Sequence, residues 1–303
     1  MIILEKIESL SEFIDKIEQI QNSFLSDKKT DEHHINFFYR GQCNVFKPLP
    51  SAFRKGFMDK EDYLYHELIL RCPEFFRGLS HLDTLVMMQH YGLPTRLLDV
   101  TSNPLVALYF ACKDYTSKYN DSGYVYIYGA EDKYTVYADS DRVLILSCLP
   151  IFSLKQKKSM LNDIKDEFDE PKIKVTTKNK YPASIERLYH EITKEMAAFQ
   201  REIKPYDLVT PLFVKPLRVN GRILKQDGAF IISGLCDNKD EAENKIENLC
   251  SQVIEIDNRQ TILQQLDAVG INEANLFPEV DKVADYLKEK CKVRNENRNI
   301  YST

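Results

Sequence analysis

The chain has 303 residues, with 41 Lys plus Arg set against 46 Asp plus Glu, a net charge of -5 and a pI near 5.8. This acidic balance excludes a protein that holds duplex nucleic acid through global charge, because neutralising phosphates needs a basic face. A hydrophobic content of 43% and a mean hydropathy of -0.39 place the chain among soluble globular proteins, and no apolar run reaches the roughly 18 residues of a membrane span.

The N-terminal stretch is charged from Glu5 onward and does not read as a signal peptide. Apolar residues at Ile3, Leu4, Ile7, Leu10, Phe13, Ile14, Ile17 and Ile20 predict an amphipathic helix over 3–24. Residues 35–41 (INFFYRG) predict a buried strand ending at a glycine. Pro48, Pro50 and Ser51 mark a loop, and residues 61–71 predict a helix. Gly92-Leu93-Pro94 breaks the backbone. Asn103 and Pro104 then serve as N-cap and first residue of a helix to about Lys118. Residues 124–128 alternate aromatic and β-branched side chains and predict a strand; residues 143–146 predict another.

Residues 155–180 are charged and read as a helix plus an insertion, followed by a helix over 184–203. Residues 208–219 read as extended, and Asn220-Gly221 signals a hairpin into a strand over 222–226. A strand at 229–232, a helix at 240–249 and a strand at 253–256 follow. Asn258 caps a further helix that stops at Gly270. After Leu276-Phe277-Pro278 comes a last helix ending near Lys290, with frayed residues beyond Val293. This order predicts a single α+β domain built on a central, mostly antiparallel split sheet flanked by helices. Residues 1–30 form an N-terminal helix on the core, residues 31–290 the body with a charged helical insertion at about 153–205, and residues 291–303 a tail.

The densest chemistry lies within residues 87–112. Gln89, His90, Tyr91, Arg96, Asp99, Thr101 and Ser102 crowd between apolar neighbours there, either as a hydrogen-bonded structural knot or as the lining of a pocket. A second signal is Tyr39-Arg40-Gly41-Gln42. An arginine at a strand end beside glycine offers a planar fork of donors, fit for a phosphate or carboxylate ligand or for an internal salt bridge, for instance with Asp99. Arg96 pairs with Asp99 if the turn between them is helical. His90 is a general acid–base candidate at neutral pH, or a histidine satisfied by a carbonyl of the Gly92–Pro94 turn. Glu191, Glu195 and Glu202 read as a solvated helix face. Lys215, Arg218, Arg222 and Lys225 form a local basic run, read as a solvated strand edge. Seven scattered cysteines with no CxxC pair point to neither a zinc site nor a disulfide framework, so a reducing cytoplasm is the expected compartment. The histidine spacing gives no metal site.

Taken together these segments resemble the FRG domain family, through Tyr39-Arg40-Gly41 and the long block from Gln89 to Asp99 (QHYGLPTRLLD). The resemblance continues through Thr101 and residues 104–111, then Arg222-Ile223 with Gln226, Gly228, Ala229 and Phe230, and closes at Leu276-Phe277-Pro278-Glu279. Val100 departs from the pattern, where an aromatic is expected. The order of these parts is similar to that of ADP-ribosyltransferases, which implies NAD as substrate. Tyr39, Arg40, Gly41, Gln42, Gln89, Arg96, Thr101 and Ser102 would then contact the cofactor. His90, Asp99 and Gln226 would stand at the chemistry. The 222–226 segment lacks the carboxylate that stabilises an oxocarbenium ion. The resemblance therefore implies either NAD-dependent ADP-ribosyl transfer or NAD hydrolysis, or a non-catalytic nucleotide-sensing module in bacterial or phage conflict. The expected partner is a small anionic nucleotide or NAD, alongside an unidentified macromolecular target.

Overall fold

Strand and helix positions follow from a computed structural model, which describes residues 3–27, 34–44, 47–54, 56–113, 122–165, 181–200, 202–217 and 221–300. In chain order the first half runs β1 (Ile3–Ile7), α1 (Leu10–Asp27), β2 (Ile35–Gln42), α2 (Glu61–Arg71), α3 (Pro73–Phe76), α4 (His81–His90), β3 (Leu97–Thr101), α5 (Pro104–Cys112) and β4 (Gly123–Glu131). The centre holds β5 (Thr135–Tyr137), α6 (Asp141–Cys148), α7 (Leu154–Ile164), α8 (Ala183–Glu195), α9 (Pro205–Val209), β6 (Leu212–Lys215), α10 (Gly221–Lys225) and β7 (Gly228–Ile232). The chain closes with α11 (Lys239–Leu249), β8 (Gln252–Ile256), α12 (Arg259–Ala268), α13 (Glu273–Leu276) and α14 (Val280–Ile300).

The fold is α+β, with one mixed eight-stranded sheet among the described residues, ordered β1-β8-β4-β2-β3-β7-β6-β5. The β1–β8 and β5–β6 pairs are parallel and the rest antiparallel. The two halves of the sheet meet at one register pair, Tyr39 opposite Thr101. Beyond that pair β2 and β3 part, and their facing backbone groups are free to meet side chains or ligand.

Strand alternation distributes the core. Tyr39, Val125, Ile127 and Ile254 pack with α1, α5 and α12 on one face. On the same face of the other half, Leu97, Leu212, Val214 and Phe230 pack with α4, α6 and α8. Phe38, Leu98, Val100, Tyr126, Phe213 and Ile231 fill the opposite face, with Ile246 of α11 packed on them. The first two clusters adjoin where the sheet parts. Helix α5 sets how closely that junction is closed. Its Ala107 and Ala111 are fully buried, and a Cβ on Gly41 would stand 1.8 Å from the Ala107 carbonyl oxygen. Only glycine lets β2 lie this close to the helix.

Several expectations are corrected. Residues 3–7 form a strand rather than the start of the first helix, because they add in parallel to the edge of β8. Residues 143–146 belong to helix α6, an apolar run buried on all sides, which periodicity cannot separate from a strand. The 208–219 segment holds the end of α9 and the short strand β6 rather than one extended run. Helix α8 ends at Glu195, α5 ends at Cys112, and α14 continues to Ile300. Asn220 and Arg218 lie outside the described residues, as do residues 166–180 of the predicted insertion. Gly221–Lys225 is a helix, not a hairpin strand. No helix among the described residues is long and apolar enough to cross a membrane.

Candidate functional site

A cleft of about 340 Å³ opens where β2 and β3 part. Tyr39, Arg40 and Gly41 line it from β2, Gln89 and His90 from α4, and Asp99 and Thr101 from β3. Phe110 of α5, Arg222 of α10, Gln226 and Phe277 complete the wall. Segments distant in the chain thus converge on one volume, and Arg40, His90, Asp99, Thr101 and Gln226 all reach it.

Arg40 bridges the parted strands. Its Nη1 donates to the Asp99 carbonyl at 2.6 Å and its Nε to Gln42 Oε1 at 3.1 Å. The bond to Asp99 is therefore to the main chain, not the salt bridge considered above. The guanidinium satisfies a carbonyl that a continued β ladder would have used, and its Nη2 has no hydrogen-bond partner among the described residues. Arg54 stands nearby, brought in by a turn stitched to β3: Ala52 N donates to the Thr95 carbonyl at 2.9 Å. Burial and the neighbouring Arg40 charge both push the Arg54 pKa down, and Asp99 opposes them. Two guanidiniums held this close make the region anion-seeking.

The Asp99 side chain is exposed to the cleft and oriented by a relay. Thr95 Oγ1 donates to Gln89 Oε1, and Gln89 Nε2 donates to Asp99 Oδ1 at 2.7 Å. Asp99 Oδ2 has no hydrogen-bond partner among the described residues. His90 makes no hydrogen bond or ion pair among the described residues, so the Gly92–Pro94 turn does not hold it; its ring meets Tyr91 at 5.1 Å. Opposite, Arg222 pairs with Glu279 at 3.1 Å, and its guanidinium lies 5.0 Å from the Phe277 ring centroid.

Two of the lining residues also shape the backbone. Thr101 Oγ1 donates to the Gln226 carbonyl at 2.7 Å and accepts from Asn103 N at 3.0 Å. Gln226 Nε2 donates to the Leu276 carbonyl at 3.1 Å, so its amide anchors α13 against α10. Ser102 lines a different cavity, of about 850 Å³, and donates through its main-chain N–H to the Asp227 carbonyl at 3.0 Å. Gln42 supports Arg40 from outside the lining.

Arg96 is not at the cleft, and it does not pair with Asp99, because residues 97–101 are a strand rather than a helical turn. Its side chain is fully buried and forked onto Glu61, with Nε–Oε1 at 2.9 Å and Nη2–Oε2 at 2.6 Å. Lys157 Nζ reaches Glu61 Oε2 at 2.5 Å. Burial alone would raise the Glu61 pKa, but Arg96 and Lys157 overcome it and bring it down to about 2. Burial lowers that of Lys157. The adjoining void of about 10 Å³ is too small for a ligand. Part of the 87–112 block is thus a structural knot after all.

Burial pushes the thiols of Cys112 and Cys250 up to about 12 and that of Cys236 to about 11, which keeps them protonated and unreactive at neutral pH. Among the described residues no group of three or more His, Cys, Asp or Glu side chains could hold a metal ion.

Sequence reasoning missed Arg54, Phe110 and Phe277 as parts of this region and placed Arg222 on a solvated edge. Phe110, Arg222 and Phe277 lie inside the resembling blocks, which is the available signal. Nothing local marks Arg54.

No curated protein and no solved structure matches the chain. The FRG domain model matches residues 35–120. That span contains Arg40, Gln89, His90, Asp99 and Thr101, whereas Arg222, Gln226 and Phe277 join the cleft through the fold alone. Over those residues the chain is similar to the FRG domain family.

Proposed function

We propose that the cleft between β2 and β3 binds a small anionic nucleotide, with Arg40 and Arg222 on its phosphate and Phe110 and Phe277 along its sugar. The observation that carries this reading is an Arg40 Nη2 without a hydrogen-bond partner among the described residues, beside an apolar wall in a pocket of ligand size. At about 340 Å³ it sits at the lower end of small-molecule sites, which span roughly 300–1,000 Å³, so it encloses one nucleotide unit rather than a whole dinucleotide. Saturating AMP, ADP-ribose or NAD should raise Tm. Binding at a hundredfold excess over Kd is worth about 2.7 kcal/mol, or roughly 5–11 °C at the roughly 2–4 °C per kcal/mol of large chains. Arg40→Ala should remove charge-assisted hydrogen bonds worth roughly 2–3 kcal/mol, weakening binding about 30- to 150-fold. A protein whose Tm no nucleotide moves would end this reading.

A second reading, glycosyl transfer from NAD, is favoured by the Asp99 carboxylate. The ADP-ribosyltransferase analogy asks for a carboxylate on a third strand, and residues 221–225 are a helix without one. Asp99 faces the cleft from β3 with Oδ2 available and Oδ1 oriented by Gln89. Such a carboxylate stabilises the positive charge that develops on the sugar as nicotinamide leaves. On this reading, Asp99→Asn should lower nicotinamide release at least about 100-fold while leaving NAD binding within a few fold. NAD that binds and stays intact selects the sensing module instead.

A further inference from the structure

Next to the cleft, outside its lining, two further aromatic rings adjoin His90 in series. His90 lines it, and the His90 ring meets Tyr91 at 5.1 Å with a 76° interplanar angle. Tyr91 meets Phe75 at 5.9 Å and 74°. Tyr91 is 58% exposed and Phe75 49%. One exposed aromatic side chain needs no explanation. Two in contact, one of them against a ring that lines an anion-seeking pocket, form an aromatic platform beside it.

The platform is held in place by its backbone. Tyr91 closes helix α4, with its N–H on the Met87 carbonyl at 3.2 Å, and Leu93 N on the Met88 carbonyl at 3.0 Å. Gly92 takes a φ of 82°, where a side chain would be strained. The Tyr91 ring therefore needs little ordering to meet a ligand, and preorganisation of this kind raises affinity.

We propose that Tyr91, backed by Phe75, is the base-stacking surface of the nucleotide site, and that the site takes a purine nucleotide with its phosphate at Arg40, its ribose in the cleft and its base over Tyr91. This rests on the nucleotide reading of the cleft. At about 340 Å³ the cleft holds no more than one nucleotide unit, so a base set over the exposed Tyr91 ring lies at its rim. Every nucleobase has a π-face, and a purine offers the larger one to an open ring. The exposed position also means that removing the Tyr91 ring leaves no core cavity.

The test is calorimetric titration of the full chain with ribose 5-phosphate, UMP and AMP. Stacking on one aromatic ring predicts that AMP binds about 10-fold or more tighter than ribose 5-phosphate, with UMP between them. Tyr91→Ala should collapse that gap to within about twofold, and Tyr91→Phe should keep it, since the ring and not the hydroxyl carries the contact. Ribose 5-phosphate that binds through Arg40 with no further gain from adenine overturns the stacking surface and leaves the nucleotide cleft standing. A gap that survives Tyr91→Ala places the base elsewhere and also overturns it. If none of the three binds, the cleft reading and this one fall together.

Discussion

Glu61→Ala should destabilise the fold by about 3–5 kcal/mol, the cost of stranding partners of a buried ion pair, lowering Tm by roughly 6–20 °C at roughly 2–4 °C per kcal/mol. The loss would be large because Arg96 is 1% exposed and Lys157 5%, so neither cation can turn to water when its carboxylate goes. Arg96 also donates to the Ser233 carbonyl at 2.9 Å, tying α2, α7 and the end of β7 to the start of β3. Acid reports the same contact without mutation. The Glu61 pKa is near 2 in the fold against 4.5 for the free group. Because the folded value is the lower one, its stabilisation is complete above about pH 4.5 and is lost as pH falls from there toward 2. About 2.5 pKa units correspond to about 3 kcal/mol, in line with the mutational figure. Urea unfolding of wild type and Glu61→Gln between pH 6 and pH 3 checks it. The wild type should lose stability steeply below pH 4.5, and the variant should start low and show a shallower slope. Parallel curves would mean that Glu61 is not held ionised by its neighbours.

The same knot explains what could be read from the residues and what could not. Helix α2 falls at Glu61–Arg71 as expected, and α5 begins at Asn103-Pro104 because a cap and an N1 proline are local signals. Strand β2 was legible as well. The three-residue spacing points Arg96 to Asp99, whereas its real partners, Glu61 and the Ser233 carbonyl, sit 35 and 137 positions away, where no local pattern points. Residues 222–226 were taken for a strand from the Asn-Gly dipeptide before them, yet Gly221 opens a helix whose Ile223 packs on the core around β7. The cleft was legible as a set of residue types, and Arg40, His90, Asp99, Thr101 and Gln226 do converge. Its electrostatics were not, because the contribution of Arg54 depends on the turn that Thr95 pins. Nor were its outer rings, since Phe75 and Tyr91 come together only through the packing of α3 against the end of α4.

Gly41→Ala should be nearly as damaging as loss of Glu61, and its contrast with Arg40→Ala separates the two halves of the Arg-Gly motif. An alanine methyl at position 41 would stand 1.8 Å from the Ala107 carbonyl oxygen and 2.6 Å from Ala111 N. Both are backbone atoms of a helix that is itself wedged against β4, where Gly123 meets the Ala111 carbonyl in the same way. No side chain can rotate aside, so β2 and α5 must separate. That places the cost at or above the upper end of overpacking, about 3 kcal/mol. Arg40 faces the opening between the strands, is only partly buried, and bonds one carbonyl that water can satisfy in its absence. Arg40→Ala should therefore cost about 1 kcal/mol of stability or less while weakening nucleotide binding about 30- to 150-fold. Denaturant midpoints and nucleotide titrations on the two variants give opposite patterns: a weakened fold for Gly41→Ala, and a near-intact fold with weakened binding for Arg40→Ala. A stable Gly41→Ala protein would show that α5 does not press on β2. An Arg40→Ala protein that unfolds would make the arginine part of the scaffold, and the adjacent residues would then be one structural device instead of a support and the grip it presents.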